Sequence, residues 1–165
     1  MPESHDTVLE LDLADREATE ALARRLADIA RRGDVIGLTG ELGAGKTTFA
    51  RAFVRARQAP SGRVDREMPS PTFTLVQVYE ADGGPVWHVD LYRLARPEDA
   101  LELGIEEAYV QGIALIEWPE RLGPALPGER LAVALSFGDS PGRRRARLVG
   151  RGGWAARLGA LARRE

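Results

Sequence analysis

The chain has 165 residues, a formal net charge of −2 and 44% hydrophobic side chains, which predicts a single domain that buries its core without disulfides or a structural metal. With no cysteine and two histidines, it excludes disulfide frameworks, thiol catalysis, zinc ribbons and His-rich metal sites. The acidic start, MPESHDTVLELDLADRE, has no basic or apolar leader, and no apolar stretch approaches the roughly 18–20 residues of a membrane span, so the expectation is a cytoplasmic protein with no membrane partner.

Val8 to Leu13 places Leu9, Leu11 and Leu13 on one face at period two, the mark of a half-buried strand. A helix follows from the N-cap residue Asp15, with Ala18, Leu22, Leu26 and Ile29 at helical spacing and Gly33 as the stop. Asp34 to Thr39 is an apolar run that reads as a buried strand feeding Gly40-Glu-Leu-Gly-Ala-Gly-Lys-Thr47, and Thr48 to about Arg57 reads as the next helix. Residues 58 to 70 have the proline, glycine and charge content of a loop, closed by Ser70-Pro-Thr-Phe73. Strands are predicted at Thr74 to Tyr79 and Val86 to Tyr92 around a turn at 81–85, then a short helix from Pro97 to Leu103 ending at Gly104. Ile113 to Ile116 is a buried strand running into Glu117-Trp-Pro-Glu120. Two more strands, Leu131 to Phe137 and Arg145 to Val149, precede a terminal helix from about Trp154. Hairpins mixed with strand–helix alternation predict a three-layer α/β domain around a mixed parallel and antiparallel sheet.

Two features of composition bear on chemistry. Lys46 is the only lysine, the other 22 cations are arginine, and there is no asparagine. Residues 139–165 hold eight arginines against Asp139 and Glu165, net +6, so residues 1–138 carry −8. That basic strand and helix read either as a solvated surface or as a contact for an acidic partner or polyanion.

Gly40-x-x-x-x-Gly45-Lys46-Thr47 is a phosphate-binding loop in the required context, a buried strand before it and an amphipathic helix after it. Backbone amides from Leu42, Gly43, Ala44, Gly45, Lys46, Thr47 and Thr48 would form the phosphate nest, helped by the helix dipole. Lys46 would reach the β- and γ-phosphates, and the Thr47 hydroxyl suits Mg²⁺, a hard cation that prefers oxygen. The metal's shell also needs a carboxylate, and Glu117 at the end of an apolar strand is placed to supply one. Asp90 ends its strand in the same manner and is a second candidate, for metal contact or for orienting the attacking water. His88, two residues earlier on the same face, reads as structural. Guanine-reading sites use Asn-Lys-x-Asp, which a chain without asparagine cannot contain, so ATP is the expected nucleotide.

Taken in order, Gly40 to Thr48, Ser70 to Phe73, His88-Val-Asp-Leu-Tyr-Arg-Leu94, Leu103-Gly-Ile105 and Ile116-Glu-Trp-Pro-Glu120 resemble the motifs of the TsaE (YjeE) family, over about Asp15 to Arg147. The resemblance implies a P-loop NTPase-like fold around a mixed sheet and a P-loop ATPase of tRNA threonylcarbamoyladenosine synthesis. It implies TsaB and TsaD as partners, with tRNA reached indirectly through that complex and adenosine 37 of tRNAs reading codons that begin with A as the modified base. Carried over by motif, Thr47 and Glu117 hold Mg²⁺, Lys46 and Asp90 serve hydrolysis, Ser70 to Phe73 form a switch-like segment, and Trp118 and Glu120 lie close to the nucleotide. Thr19 and the Gly142-Arg143 stretch are implied near the nucleotide as well. The residues also admit a P-loop small-molecule kinase, for which only Arg93 and Arg96 offer phosphate-clamping side chains in the middle of the chain, and a nucleotide-dependent binding module.

Overall fold

The computed structural model describes residues 6–61 and 75–163. Seven strands form one mixed sheet: β1 (Thr7–Leu13), β2 (Val35–Thr39), β3 (Val76–Tyr79), β4 (Val86–Asp90), β5 (Ile113–Glu117), β6 (Leu131–Phe137) and β7 (Arg144–Gly150). Their order is β1-β7-β6-β2-β5-β4-β3. The central strands β4, β5, β2 and β6 run parallel, while β3, β7 and β1 are antiparallel to their neighbours.

Alternation along the strands assigns the two faces. Leu13, Ile36, Leu38, Val86, Ile113, Leu115, Leu131, Val133, Ala146 and Leu148 pack in one core with helices α1 (Arg16–Ile29), α2 (Lys46–Gln58) and α4 (Gly153–Ala162). The opposite face buries Val35, Val89, Ala114 and Ile116 against α3 (Ile105–Gln111) and the 3₁₀ segments Pro97–Leu103 and Pro119–Ala125. These are the three layers the sequence predicts. On β1 and β7 the second face is instead exposed and charged, with Glu10 and Asp12 opposite Arg147 and Arg145.

Several boundaries move for local reasons. α1 stops at Ile29, and Gly33, at φ 94°, turns the chain into β2 while its amide donates to the Gly112 carbonyl at 2.7 Å. α2 begins at Lys46, two residues ahead of expectation, because Gly45 at φ 111° caps it without a side chain. β4 ends at Asp90 rather than Tyr92, since the Asp90 carboxylate accepts the Tyr92 amide at 3.0 Å and folds the backbone into a turn. β3 is described from Val76, and the predicted switch-like segment Ser70 to Phe73 lies outside the described residues. α3 and the 3₁₀ segment after β5 were not expected: α3 is one short stretch behind Gly104, and Pro119 starts the other.

Candidate functional site

β2 delivers the chain to the phosphate loop at the carboxyl edge of the sheet. Gly40 sits at φ 145°, and a Cβ there would lie 2.4 Å from the Leu135 carbonyl oxygen, so only glycine lets the loop pass β6 this closely. The first amides of α2 have no partner inside the helix and point, with its positive dipole end, into the loop. Beside them opens a cavity of about 260 Å³ whose walls include Gly43, Gly45, Lys46, Thr47, Thr48, Asp90 and Glu117.

The acids arrive by strand register. β4 and β5 are parallel neighbours with Asp90 directly beside Glu117, and both side chains emerge on the α2 side, in line with Val86 and Leu115 of the larger core. Asp90 is 5% exposed and Glu117 3%. Two carboxylates side by side at this depth repel, and that cost is met by cationic or donating groups nearby. Lys46, itself 5% exposed, is one. Its ammonium donates to the carbonyls of Gly40 and of Glu41, the latter at 3.2 Å, and stands 4.4 Å over the Trp118 ring. Burial pushes the Lys46 ammonium below the ordinary lysine range, and the charges of Glu117, Asp90 and Glu120 pull it partly back. Thr47 completes the group, its hydroxyl donating to Glu117 Oε1 at 3.3 Å.

The remaining residues singled out in the sequence take different places. Leu42 stands at the cavity rim, 66% exposed. The Ala44 side chain is buried in the core, and its amide donates to the Glu41 carbonyl at 3.0 Å. Glu120 is exposed in the first turn after β5, outside the cavity wall yet close enough to act on Lys46. Trp118 adopts left-handed backbone at φ 60° and lies between Lys46 and Tyr92, whose ring centroid is 5.1 Å away. Thr19 is buried in α1, with its methyl 3.8 Å from where a Gly45 Cβ would be.

Two contacts go beyond the sequence reading. The guanidinium of Arg144 reaches the phosphate loop, donating to the Gly43 carbonyl at 3.2 Å and lying over the Phe137 ring. His88 Nε2 lies 2.7 Å from Glu117 Oε2, with both side chains buried. The signal for His88 was its place on the face of Asp90, but its partner is on another strand and only the register reveals it.

A threonine hydroxyl and a carboxylate 3.3 Å apart form a hard-oxygen donor pair that fits Mg²⁺. Among the described residues no group of three or more His, Asp or Glu side chains forms a ready metal cage. Such a site suits an ion that is also held by nucleotide phosphate. Among the described residues there is also no helix long and apolar enough to cross a membrane.

Residues 13–146 match the family described as threonylcarbamoyl adenosine biosynthesis protein TsaE. The chain belongs to the TsaE family. Among curated TsaE-family proteins, each named tRNA threonylcarbamoyladenosine biosynthesis protein TsaE, that of Bacillus subtilis is 38% identical over 120 residues, covering 72% of each chain. That of Aquifex aeolicus is 40% identical over 115 residues, 70% of this chain and 80% of its own. The one from Nostoc is 36% identical over 143 residues, 84% of each. A crystal structure of Bacillus subtilis YdiB superimposes with a TM-score of 0.77 at 29% identity, covering 97% of both chains. The phosphate loop, Asp90 and Glu117 all lie inside the TsaE-family match.

Proposed function

We propose that this protein binds Mg·ATP at the phosphate loop and hydrolyses it as the ATPase subunit of tRNA threonylcarbamoyladenosine synthesis, acting with TsaB and TsaD. The observation that carries this reading is the convergence of Lys46, Thr47, Asp90 and Glu117 on one cavity at the amino end of α2, in a chain of the TsaE family.

The phosphates would meet the α2 amides and loop backbone, which are fixed before binding and need no reorganisation. Lys46 exchanges two loop carbonyls for phosphate oxygens, a stronger interaction because the acceptors are charged. Thr47 and Glu117 would hold Mg²⁺, which when bound neutralises charge on the phosphates. Asp90 lies beside Glu117 and accepts the Tyr92 amide through Oδ1. That bond holds the carboxylate in place as an acceptor for the proton of an attacking water. Trp118 lies against the Lys46 ammonium in the cavity wall and limits water there.

The test is reconstitution. ATP turnover by the purified protein, alone and with TsaB and TsaD, is measured together with threonylcarbamoyladenosine in tRNA from cells depleted of it. Expected are a rise in turnover within the complex and loss of the modified nucleoside, restored by the wild type but not by Lys46→Ala. Unchanged nucleoside after depletion would overturn the reading.

A further inference from the structure

The contact between His88 and Glu117 has no place in nucleotide binding as described so far. His88 is not among the residues that wall the cavity, and it lies one diagonal step from Glu117, beside Leu115 in the register of β4 on β5. It is 1% exposed. Burying an imidazole at this depth is costly unless its polar atoms are used, and here Nε2 is used on the one carboxylate that also faces Thr47.

The chemistry of the pair is one-directional. A carboxylate that receives a metal is ionised and only accepts, so in that state the hydrogen sits on Nε2 and His88 donates to Glu117 Oε2 across the 2.7 Å contact. Glu117 has three rotatable side-chain bonds and, without that donor, would be steered by Thr47 at 3.3 and 3.4 Å and by repulsion from Asp90. The His88 bond is the shortest of these contacts at 2.7 Å and comes from a ring fixed on a central strand. It is therefore the contact best placed to fix the carboxylate, both oxygens of which stay near the Thr47 hydroxyl, at 3.3 and 3.4 Å.

We propose that His88 is a positioning residue: through Nε2 it holds the Glu117 carboxylate in the orientation that, with Thr47, receives the magnesium ion of the nucleotide. The inference rests on the reading of Glu117 and Thr47 as the metal's protein ligands. Groups that orient a ligand in this way commonly change metal affinity about 10–100-fold when removed.

The experiment compares ADP affinity by calorimetry in excess Mg²⁺ and in EDTA, and takes the ratio as the gain due to the metal. Electron paramagnetic resonance of bound Mn²⁺ gives a second readout that needs no turnover. In His88→Leu the gain falls about tenfold, whereas ADP affinity in EDTA stays within threefold of wild type. His88→Gln, whose amide nitrogen can occupy the Nε2 position, restores most of the gain. His88→Asn, too short to reach Glu117, does not restore it and replaces the leucine variant if that one fails to fold. A leucine or asparagine variant that keeps the wild-type gain, while Glu117→Gln loses it, overturns the role of His88 and leaves the metal site standing. A wild type with no gain from Mg²⁺ overturns the metal reading itself, and the inference with it.

Discussion

Two groups of charges can be set side by side in this fold. At the carboxyl edge of the sheet, Lys46, Asp90, Glu117 and His88 are all buried and touch one another or the loop. On the outer half, β1 and β7 carry Glu10 opposite Arg147 and Asp12 opposite Arg145, with Asp139 also on Arg145 at 2.7 Å and Asp6 on Arg151 at 3.4 Å. Pairing is present in both, but water is not. The pairs of Arg145 and Arg147 keep most of their hydration and contribute about 0–1 kcal/mol each. The inner group has given up its hydration, so the loss of any member leaves another charge exposed to a poor solvent. The basic end of the chain, read by itself, suggests an unbalanced cationic surface, yet the sheet folds it back against the acidic first strand. Three of its arginines, Arg145, Arg147 and Arg151, thereby find acids from β1 or the residue before it.

The sharpest way to test the contrast is at its centre. Lys46→Ala should weaken ATP and ADP binding by about two to three orders of magnitude by calorimetry, while the thermal melt shows a folded protein; near-normal affinity would mean that the inner group is structural. Next is a pair midway between the two environments. Arg157 holds both oxygens of Asp34 at 2.7 and 2.8 Å and stacks on Trp154, tying α4 to the turn before β2. Asp34→Ala should cost about 3 kcal/mol in denaturant unfolding, and a loss below about 1 kcal/mol would put this pair with the solvated ones. Asp90→Ala should slow hydrolysis about 100-fold with ATP affinity within threefold. If hydrolysis were normal, Glu117 would be left as the only acid of the mechanism. The smallest effect belongs to the outer sheet: Arg147→Ala should change stability by at most about 0.5–1 kcal/mol, and less in high salt.

Much of the site was legible because its signals are local. The glycines, Lys46 and Thr47 stand together in sequence, and Asp90 and Glu117 each end an apolar run, so strand ends alone bring the acids to the loop. The contacts that stayed hidden cross the sheet. Seeing His88 on Glu117 requires the register of β4 on β5, and seeing Arg147 on Glu10 requires β7 to lie beside β1, a pairing across more than a hundred residues. Local propensity failed in another way at Ile105 to Gln111, where two acids and a single turn's worth of apolar residues give little periodicity, although Ile105 and Ala108 are buried under the sheet. After β5, Pro119 and Pro124 do not suit an α-helix, and tight 3₁₀ turns accommodate what an α-helix would not.

The solitary Lys46 also makes the molecule easy to interrogate by chemical labelling. Apart from the chain's own α-amine, it is the only primary amine in the sequence. In the fold its nitrogen is held by two carbonyls and covered by the Trp118 ring. Acylation at this position therefore proceeds only when the loop releases the side chain, and the rate at which one mass increment accumulates measures how often that happens. A bound nucleotide that engages the same nitrogen would slow the modification, so a single peptide reports both the opening of the loop and its occupancy.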